Sequence, residues 1–513
     1  MQSAKAGRGT VYLTIQQLAQ YLVAFIFYAG VARFITQAEV GLWSILIVST
    51  AVFTTLTLLG LPAATQKYVS EDHGRGDLGA AASVSRVSFT IMGLSTIPAL
   101  IAVFLLSPSL STLVLGGVEY TVPFVLTISA SATLNFAALY GADMLALGMY
   151  LEFAIQNLTF ILIGRASGLA LAYGGFGLLG LAAGSFIGAL FCLILSIGFM
   201  WKKLPKPSER LRDLYGKVFR YGYPLWFLAI IALAQGWADI TILYALTGEA
   251  ALTGVYYLAT AGATLLAIFW AAISTVILPL MSSEEARVGR QALPKIYDAS
   301  SRLLNTLVLP VGAGLAAISP TAITIAYGRA YIEGAVPFAL LTATAILPAY
   351  VSLNTSTLQA IAETKVLAKI GAASTIIDLA LVTILVKPFG ANGAALARVG
   401  AYAAAFVLIQ KVLASKAQIR IDLSHFGKTM ALAVIVALPL AAVDYALTYL
   451  YQISTMTRII LEGISFLIVY TIFSRLFRTI EERDLELLRK ALPNQLEKVL
   501  DMLEGFVIHG TPP

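Results

Sequence analysis

The sequence predicts an all-α integral membrane protein with about fourteen transmembrane helices, arranged as two pseudo-symmetric parallel six-helix lobes plus two C-terminal helices. Three observations predict this class: an apolar composition, alternating basic loops and an internal repeat. Apolar residues make up 59% of the 513 residues and charged residues 12%, against roughly 45–50% and about 25% in soluble domains. The mean hydropathy is +0.85. A surface with so few charges must face lipid.

Cysteine, histidine and net charge exclude several classes of function. The single cysteine, Cys192, lies in an apolar run, and His73, His425 and His509 are far apart. We therefore expect neither disulfides nor a metal site. The net charge of +7 could suggest nucleic-acid binding, but the basic residues lie in short loops between apolar runs. That distribution indicates membrane topology, and we expect no nucleic-acid partner.

Apolar runs long enough to span a bilayer recur along the whole chain. A transmembrane helix needs about 20 mostly apolar residues. The predicted spans are 11–35, 40–63, 84–107, 121–148, 152–173, 176–201, 219–246, 251–280, 299–320, 335–361, 364–386, 391–413, 425–450 and 454–477. The first run is too long for the apolar core of a cleavable signal peptide, so none is expected.

The loops between these spans alternate between basic and non-basic. The loops on one side of the membrane contain dense clusters of basic residues, such as the cluster within 202–220. The loops on the other side contain few basic residues beyond Arg33, Arg329, Lys387 and Arg458. By the positive-inside rule, both termini are predicted to be cytoplasmic and the protein to lie in the cell membrane. The tail 479–513 has leucines at helical spacing, which predicts an amphipathic helix on the inner membrane surface or a partner-binding segment.

The chain matches itself at an offset of 213 residues. Gly41 falls on Gly254, Trp43 on Tyr256, and Phe176-Gly177 on Phe389-Gly390. Ordered matches between corresponding spans indicate a duplicated six-helix unit. Because each unit has an even number of spans, the pseudo-two-fold axis should run along the membrane normal, as in transporters with parallel repeats. The predicted divisions are an N-lobe at 1–201, a cytoplasmic linker at 202–218, a C-lobe at 219–413, appended helices at 414–478 and a cytoplasmic tail at 479–513.

Two stretches carry a resemblance to a known family. ARFITQAEVGLW at 32–43 and LGLPAATQKYVSE at 59–71 resemble polysaccharide flippases of the multidrug/oligosaccharidyl-lipid/polysaccharide exporter superfamily. The resemblance implies a flippase that moves a polyprenyl-(pyro)phosphate-linked oligosaccharide from the cytoplasmic to the outer leaflet by alternating access of two lobes. It also implies contact with membrane lipids and with glycosyltransferases of the same pathway, and we expect a monomer. In the peptidoglycan-precursor flippases of this superfamily, two extra C-terminal helices help to form a lipid-tail groove.

A phosphate-bearing headgroup that crosses the membrane needs cationic partners in a wet cavity. Arginine suits phosphate because its planar guanidinium group donates two hydrogen bonds at once. Arg33, near the outer end of the first span, could instead snorkel or tie down the turn. Arg165 lies thirteen residues into its span, about 20 Å from the cytoplasmic start, so it cannot easily snorkel. Arg398 lies about two turns inside span twelve and could equally be a tether between helices.

Other polar residues at membrane depth are candidates for lining a sugar-binding cavity. Gln16 and Gln20 lie on span one, and Gln235 and Asp239 share a face of span seven. These two spans are the repeat-equivalent first helices of the two lobes. The alternative is that these side chains join helices to one another, which is common in membrane bundles.

Two carboxylates are candidates either for binding a coupling ion or for a latch, which is an ion pair that holds the two lobes together. The repeat offset places Asp378 at the position of Arg165, so the pair could lock the lobes together in one state, or each charge could be balanced within its own lobe. Asp143 could hold a coupling cation or a proton, or could simply lie near the cytoplasmic end of span four.

No Walker loop or glycine-rich phosphate cradle is visible in the sequence. We therefore expect no nucleotide cofactor, and energy from a Na⁺ or H⁺ gradient, from the membrane potential or from removal of the product. An enzyme is not expected. The alternatives are a cation-coupled exporter of small amphipathic compounds, which would bind cations through cavity carboxylates, and a membrane-embedded glycosyltransferase, which would need a large outer loop.

Overall fold

The computed structural model describes residues 2–208, 211–447, 455–477 and 479. Within these ranges all regular structure is helical, which confirms the predicted fold class. The helices are α1 Gln2–Phe34, α2 Gln37–Leu58, α3 Leu61–Gly74, α4 Leu78–Leu115, α5 Thr121–Ala146, α6 Tyr150–Leu171, α7 Gly177–Met200, α8 Leu211–Thr247, α9 Ala250–Ala263, α10 Ala267–Val288, α11 Leu293–Ala317, α12 Ser319–Tyr327, α13 Ala335–Ala343, α14 Ile346–Ala360, α15 Thr364–Lys416, α16 Leu423–Tyr445 and α17 Thr455–Phe477. The predicted amphipathic tail lies outside the described residues, apart from Thr479.

The described helices supply ten segments long and apolar enough to cross a membrane, and two bent helix pairs bring the number to twelve. Two of the ten segments, Tyr150–Met200 with 51 residues and Thr364–Lys416 with 53, are more than twice the roughly 20 residues that span a bilayer. Each contains a break in the helical backbone, at Gly175 and at Gly390. Each can therefore cross twice, and the described segments are compatible with the fourteen spans that the sequence predicts.

Several helix boundaries differ from those expected of the sequence. Helix α4 continues eight residues past the predicted end at 107 and contains Pro108, because the backbone group that proline leaves unpaired can be satisfied locally in a membrane helix. Helix α12 occupies part of the predicted 321–334 connection and bends by 80° from α11, with Pro320 in its first turn, where proline is favoured. Helix α8 begins at Leu211, inside the predicted linker 202–218.

Lipid-facing surface is visible on α4. Leu94, Ile97, Ile101 and Leu105 recur at helical spacing and are 71%, 52%, 54% and 78% exposed. A soluble protein would not expose such a continuous apolar stripe. In a bilayer the same stripe contacts hydrocarbon, so the helix is stable without a protein partner on that side.

By its internal contacts the chain divides into two compact units, Met1–Tyr257 and Leu258–Pro513. The division falls within α9, whereas the lobes predicted from the repeat meet at 202–218. The predicted lobe boundaries stay a prediction.

Repeat-equivalent glycines share an unusual backbone conformation. Gly177 has φ 49° and ψ −130°, and Gly390, 213 residues later, has φ 53° and ψ −128°. Residues with a side chain are excluded from this region. In each repeat the glycine lets the chain reverse between two spans, which is what a duplicated unit predicts.

Helices α2 and α9, which the offset also makes equivalent, cross at a pair of glycines. A Cβ added at Gly41 would lie 1.8 Å from the carbonyl oxygen of Ala250, and one at Gly254 would lie 2.2 Å from that of Gln37. These contacts are reciprocal, because the offset maps Gln37 onto Ala250 and Gly41 onto Gly254. Reciprocity of this kind is the signature of a local two-fold relation between two elements.

Candidate functional site

The position of Arg165 is set by the packing of α6 on α7. A Cβ added at Gly184 would lie 2.2 Å from the backbone nitrogen of Gly168, and one at Gly188 would lie 2.6 Å from the Cα of Gly164. Glycines spaced by four residues let two membrane helices approach to backbone contact. Arg165 follows Gly164 directly, so this interface fixes both its depth and its direction.

The guanidinium of Arg165 contacts only neutral groups among the described residues. Its Nη1 lies 3.5 Å from the carbonyl oxygen of Gln20 on α1. Its Cζ lies 5.5 Å from the ring centre of Phe27 and 6.0 Å from that of Tyr28, within the range of cation–π attraction. The Tyr28 hydroxyl lies 2.5 Å from that of Tyr257. Within its own unit no described carboxylate forms an ion pair with Arg165.

Arg165 lines a cavity of about 360 Å³ in the first unit, which we call the arginine cavity. Its walls come from α1, α2, α5, α6 and α7. Hydroxyl groups face it from Thr50, Thr54, Thr127, Ser131 and Ser185. The Thr54 and Ser131 hydroxyls bond each other at 2.6 Å across α2 and α5. The arrangement combines one cation with several neutral hydroxyl groups, which suits a ligand that carries an anionic group and further polar atoms.

Trp43 also lines this cavity. Its indole N–H is buried and has no acceptor among the described residues. A buried donor without a partner carries an energetic cost that a bound acceptor would remove. Trp43 is thus a second polar residue at the cavity wall, and no described residue uses its hydrogen-bonding capacity.

The stretch 32–43, which carries the family resemblance, fixes the position of two helices that line this cavity, α2 and α7. Thr36 and Glu39 form a capping box at the start of α2. The second carboxylate oxygen of Glu39 accepts from the backbone N–H of Leu178 at 3.3 Å. One glutamate therefore ties the first turn of α2 to the first turn of α7, where a Cβ at Gly177 would collide with it.

Two further cavities lie one in each unit. The first unit contains a cavity of about 420 Å³ lined by residues of α3, α5, α6 and α7, among them Gln66, Gln156 and Asn157. We call it the amide cavity. In the second unit, Arg398 lines a cavity of about 240 Å³ together with Trp270 and Tyr402.

The other polar residues predicted for span one and its outer end lie outside the arginine cavity lining. Arg33 is exposed and donates to the carbonyl oxygen of Ala29 at 2.7 Å, as expected of a residue that ties down its helix end. Gln16 donates to Gln20 Oε1 at 3.3 Å on the surface of α1, and Gln20 reaches Arg165 through its backbone carbonyl. Substrate contact by these three side chains stays a prediction.

The predicted acidic residues are all buried. Asp239 accepts a short hydrogen bond from the Tyr256 hydroxyl, which joins α8 to α9, while Gln235 is half-buried one turn earlier. Asp143 accepts from Ser85 at 2.7 Å, which joins α5 to α4, and its other oxygen has no partner among the described residues. Asp378 is buried on α15. Their roles in binding, coupling or a latch stay predictions.

Several lining residues were not singled out from the sequence. They are Tyr28, Thr50, Thr54, Ser131, Phe160, Gln66, Gln156 and Asn157. Thr50 and Thr54 stand four residues apart on α2 and so share a face, which was the available signal. Hydroxyls in apolar helices usually bond their own helix, however, as Thr50 does to the carbonyl oxygen of Ile47 at 2.7 Å. The pattern alone therefore could not separate lining residues from others.

The fold defines a multi-pass helical membrane protein. The model of the polysaccharide biosynthesis protein family matches residues 31–337, more than half of the chain. The chain belongs to this family.

One curated relative is the probable low-salt glycan biosynthesis flippase Agl15 of Haloferax volcanii. It is 24% identical over 292 residues, which cover 56% of this chain and 60% of that protein. The match thus spans less than two thirds of the relative's length.

Among solved structures, the lipid II flippase MurJ in an inward closed conformation matches with a TM-score of 0.70 at 16% identity, over 91% of this chain and 99% of that one. An inward-facing multidrug resistance MATE family transporter of the MOP superfamily matches with a TM-score of 0.62 at 14% identity, over 79% and 98%. At these identities the likeness establishes a shared fold.

Proposed function

We propose that this protein is a flippase that moves a polyprenyl-(pyro)phosphate-linked oligosaccharide from the cytoplasmic to the outer leaflet of the cell membrane by alternating access. Both termini are cytoplasmic in this proposal. The protein binds and moves its cargo without altering its bonds. Family membership and the glycan flippase among its relatives support this substrate class.

The single observation that carries the proposal is Arg165 in the arginine cavity. A cation at membrane depth costs several kcal/mol unless it is paired or solvated. The described contacts of Arg165 are a carbonyl oxygen and two aromatic rings. A phosphate or pyrophosphate bound by the guanidinium would supply the missing counter-charge through two charge-assisted hydrogen bonds.

The cavity linings argue against an exporter of cationic compounds. Such a protein needs carboxylates at its binding site. The described linings of the three cavities contain two arginines and no aspartate or glutamate. An anionic cargo fits these walls better than a cationic one.

For coupling, we propose Asp143 as the group that binds H⁺ or Na⁺. Its carboxylate is buried between α4 and α5, and one of its oxygens is unpartnered among the described residues. A gradient-driven change of its charge would be felt directly where these two helices meet. Asp143→Asn should therefore reduce the gradient dependence of transport while leaving cargo binding in place.

The test is transport of a fluorescent lipid-linked oligosaccharide by the purified protein in proteoliposomes, with and without H⁺ and Na⁺ gradients. Arg165→Ala should slow transport about tenfold or more, because hydrogen bonds to a charged group contribute roughly 1.5–3 kcal/mol. Arg398→Ala should also impair transport. Arg33→Ala, which changes a surface arginine of the same unit as Arg165, is the matched comparison and should impair transport less than either of these variants.

Two results would count against the proposal. Normal transport by a folded Arg165→Ala, Arg398→Ala double variant would move the phosphate site elsewhere. Transport of cationic dyes, with no transfer of the lipid-linked sugar under any gradient, would favour the drug-exporting alternative instead.

A further inference from the structure

The arginine cavity and the amide cavity are stacked within the first unit. Leu134 on α5 and Phe160 on α6 line both of them. Along α5 the arginine cavity is lined from 127 to 134 and the amide cavity from 134 to 145. Along α6, which runs the opposite way, the amide cavity is lined from 153 to 160 and the arginine cavity from 160 to 165. The two cavities therefore follow one another along the helix axes, with Leu134 and Phe160 between them.

The two cavities lie at different distances from the predicted cytoplasmic end of α6. Helix α6 begins at Tyr150, at its predicted cytoplasmic end. The amide cavity starts within one turn of that end, whereas Arg165 lies about 20 Å further along at 1.5 Å per residue. A cargo that arrives from the cytoplasmic leaflet meets the amide cavity first.

The two linings differ in chemistry. The arginine cavity contains a guanidinium, whereas the polar lining of the amide cavity consists of the neutral amides Gln66, Gln156 and Asn157 and the thiol of Cys192. An amide both donates and accepts hydrogen bonds, as a sugar hydroxyl does. A neutral, hydroxyl-rich ligand suits such a wall, whereas a phosphate finds no cation on it.

Hydrogen bonds to backbone carbonyl oxygens hold two of these amides in place. Gln156 donates to the carbonyl oxygen of Ala137 at 2.6 Å, and its own side-chain oxygen accepts no hydrogen bond among the described residues. Asn157 donates to the carbonyl oxygen of Phe153 at 3.0 Å. Gln66 is exposed. The lining thus combines two amides that are held by hydrogen bonds to backbone carbonyl oxygens with one exposed amide.

We propose that the amide cavity binds sugar residues of the lipid-linked cargo, on the cytoplasmic side of the phosphate site at Arg165. This inference rests on the proposed function. The cavity volume of about 420 Å³ falls within the range of small-molecule sites, roughly 300–1,000 Å³. Phe160 and Leu134 separate the sugar-binding space from the phosphate-binding space.

The test is protection of single cysteines from N-ethylmaleimide in proteoliposomes. Cys192 is the only native cysteine, so Cys192→Ser removes background labelling and keeps a small polar side chain in the amide cavity lining. In it, Ala138→Cys reports on the amide cavity and Ala51→Cys, the matched control, on the arginine cavity; both alanines are half-buried lining residues. The probes are polyprenyl diphosphate without sugar and the same lipid carrying an oligosaccharide.

The expected result is a difference between the two cysteines. Both lipids should protect the cysteine at position 51, and only the sugar-bearing lipid should protect the one at position 138. At about ten times its Kd, the protecting lipid should slow labelling roughly tenfold, since labelling follows the unoccupied fraction. Asn157→Ala should raise the concentration needed for protection at position 138 by about two- to tenfold, the value of one neutral hydrogen bond.

The experiment distinguishes a failure of the proposed sugar site from a failure of the proposed flippase function. Protection at position 51 without protection at position 138, or equal protection at position 138 by the sugar-free lipid, overturns the sugar site and leaves the flippase intact. Equal protection by both lipids would mean that the prenyl chain fills the amide cavity. Absence of protection at both positions, together with absence of transport, overturns the proposed function as well.

Discussion

Arg165 and Arg458 are both arginines on membrane helices, and their surroundings are opposite. Arg165, in the first unit, contacts a carbonyl oxygen and two aromatic rings. Arg458, in the second unit, lies 3.0 Å from the carboxylate of Asp444 and 3.8 Å from that of Glu462, and it also donates to the Thr321 hydroxyl. The first has no described counter-charge in its unit, and the second has two.

A binding arginine and a structural one can be distinguished by the counter-charges around them. Arg458 joins α17 to α16 and to α12, and protein carboxylates balance its charge, so no ligand is needed. Arg165 borders a cavity, so its charge is available to a ligand. The sequence places Arg458 four residues into its predicted span and Arg165 thirteen residues into its own, but it does not show which of the two has a counter-charge.

The largest effect on stability is expected at the paired arginine. Arg458→Ala leaves two buried carboxylates without their cation, which should lower the free energy of unfolding by about 3–5 kcal/mol. Thermal unfolding of the purified protein measures this. Adding Asp444→Asn should recover much of the loss, because it removes one uncompensated charge. An unchanged unfolding temperature in Arg458→Ala would remove the contrast with Arg165.

The unpaired arginine should give a different pattern. Without lipid, Arg165→Ala should change stability by about 1 kcal/mol or less, since no ion pair is lost. With polyprenyl diphosphate at 100 times its Kd, the wild type should gain about 2.7 kcal/mol, and Arg165→Ala should lose most of this gain. Equal stabilisation of both proteins by the lipid would mean that Arg165 does not bind it.

The predicted latch between Arg165 and Asp378 would give Arg165 a counter-charge in one state of the transport cycle. Arg165→Asp and Asp378→Arg should then each impair transport, and the double swap should restore part of it. The coupling energy in a double-mutant cycle should exceed about 0.5 kcal/mol. Additive effects on both transport and stability would show that the latch does not exist.

The smallest effect is expected at Asp422, where a third arginine is paired at the membrane edge. The Asp422 side chain caps α16 by accepting from the backbone N–H of His425 at 3.0 Å, and Arg302 lies 3.8 Å away. The His425 N–H, helped by Arg302, lowers the pKa of Asp422 below its ordinary value. A lowered pKa means that the charged carboxylate stabilises the fold above the ordinary aspartate pKa of about 4 and loses this effect as the pH falls through the lowered value.

Asp422→Ala should therefore cost about 1 kcal/mol at neutral pH, the usual value of a helix cap. The difference from the wild type should shrink below about pH 4. Thermal unfolding between pH 3 and pH 8 measures both. A difference that stays constant across this range would mean that the charge of Asp422 contributes nothing.

The sequence predicts the features that depend only on the position of a residue along its own helix or repeat. The depth of Arg165 follows from its distance to the end of its span, and the reversal at Gly177 and Gly390 follows from the repeat. The bend between α11 and α12 was missed because the apolar pattern continues through Ile318, and hydropathy does not register a change of direction.

The sequence could not predict side-chain partners. Asp239 and Gln235 were expected to share a cavity face, and their spacing on one helix is indeed one turn. The hydrogen bond from Tyr256 to Asp239 depends on how α9 packs against α8, which spacing within α8 does not determine. Likewise, the amide cavity needs four helices to meet, and each helix contributes only one or two unremarkable polar residues to it.

The glycine contacts between α6 and α7 also have a consequence for folding order. Only five residues, Ala172–Phe176, separate the two helices, so their pairing closes a short loop at low entropic cost. Local contacts of this kind form early. Arg165 would thus enter the bilayer on a helix that is already paired, and the later helices would assemble around a cation whose position is fixed.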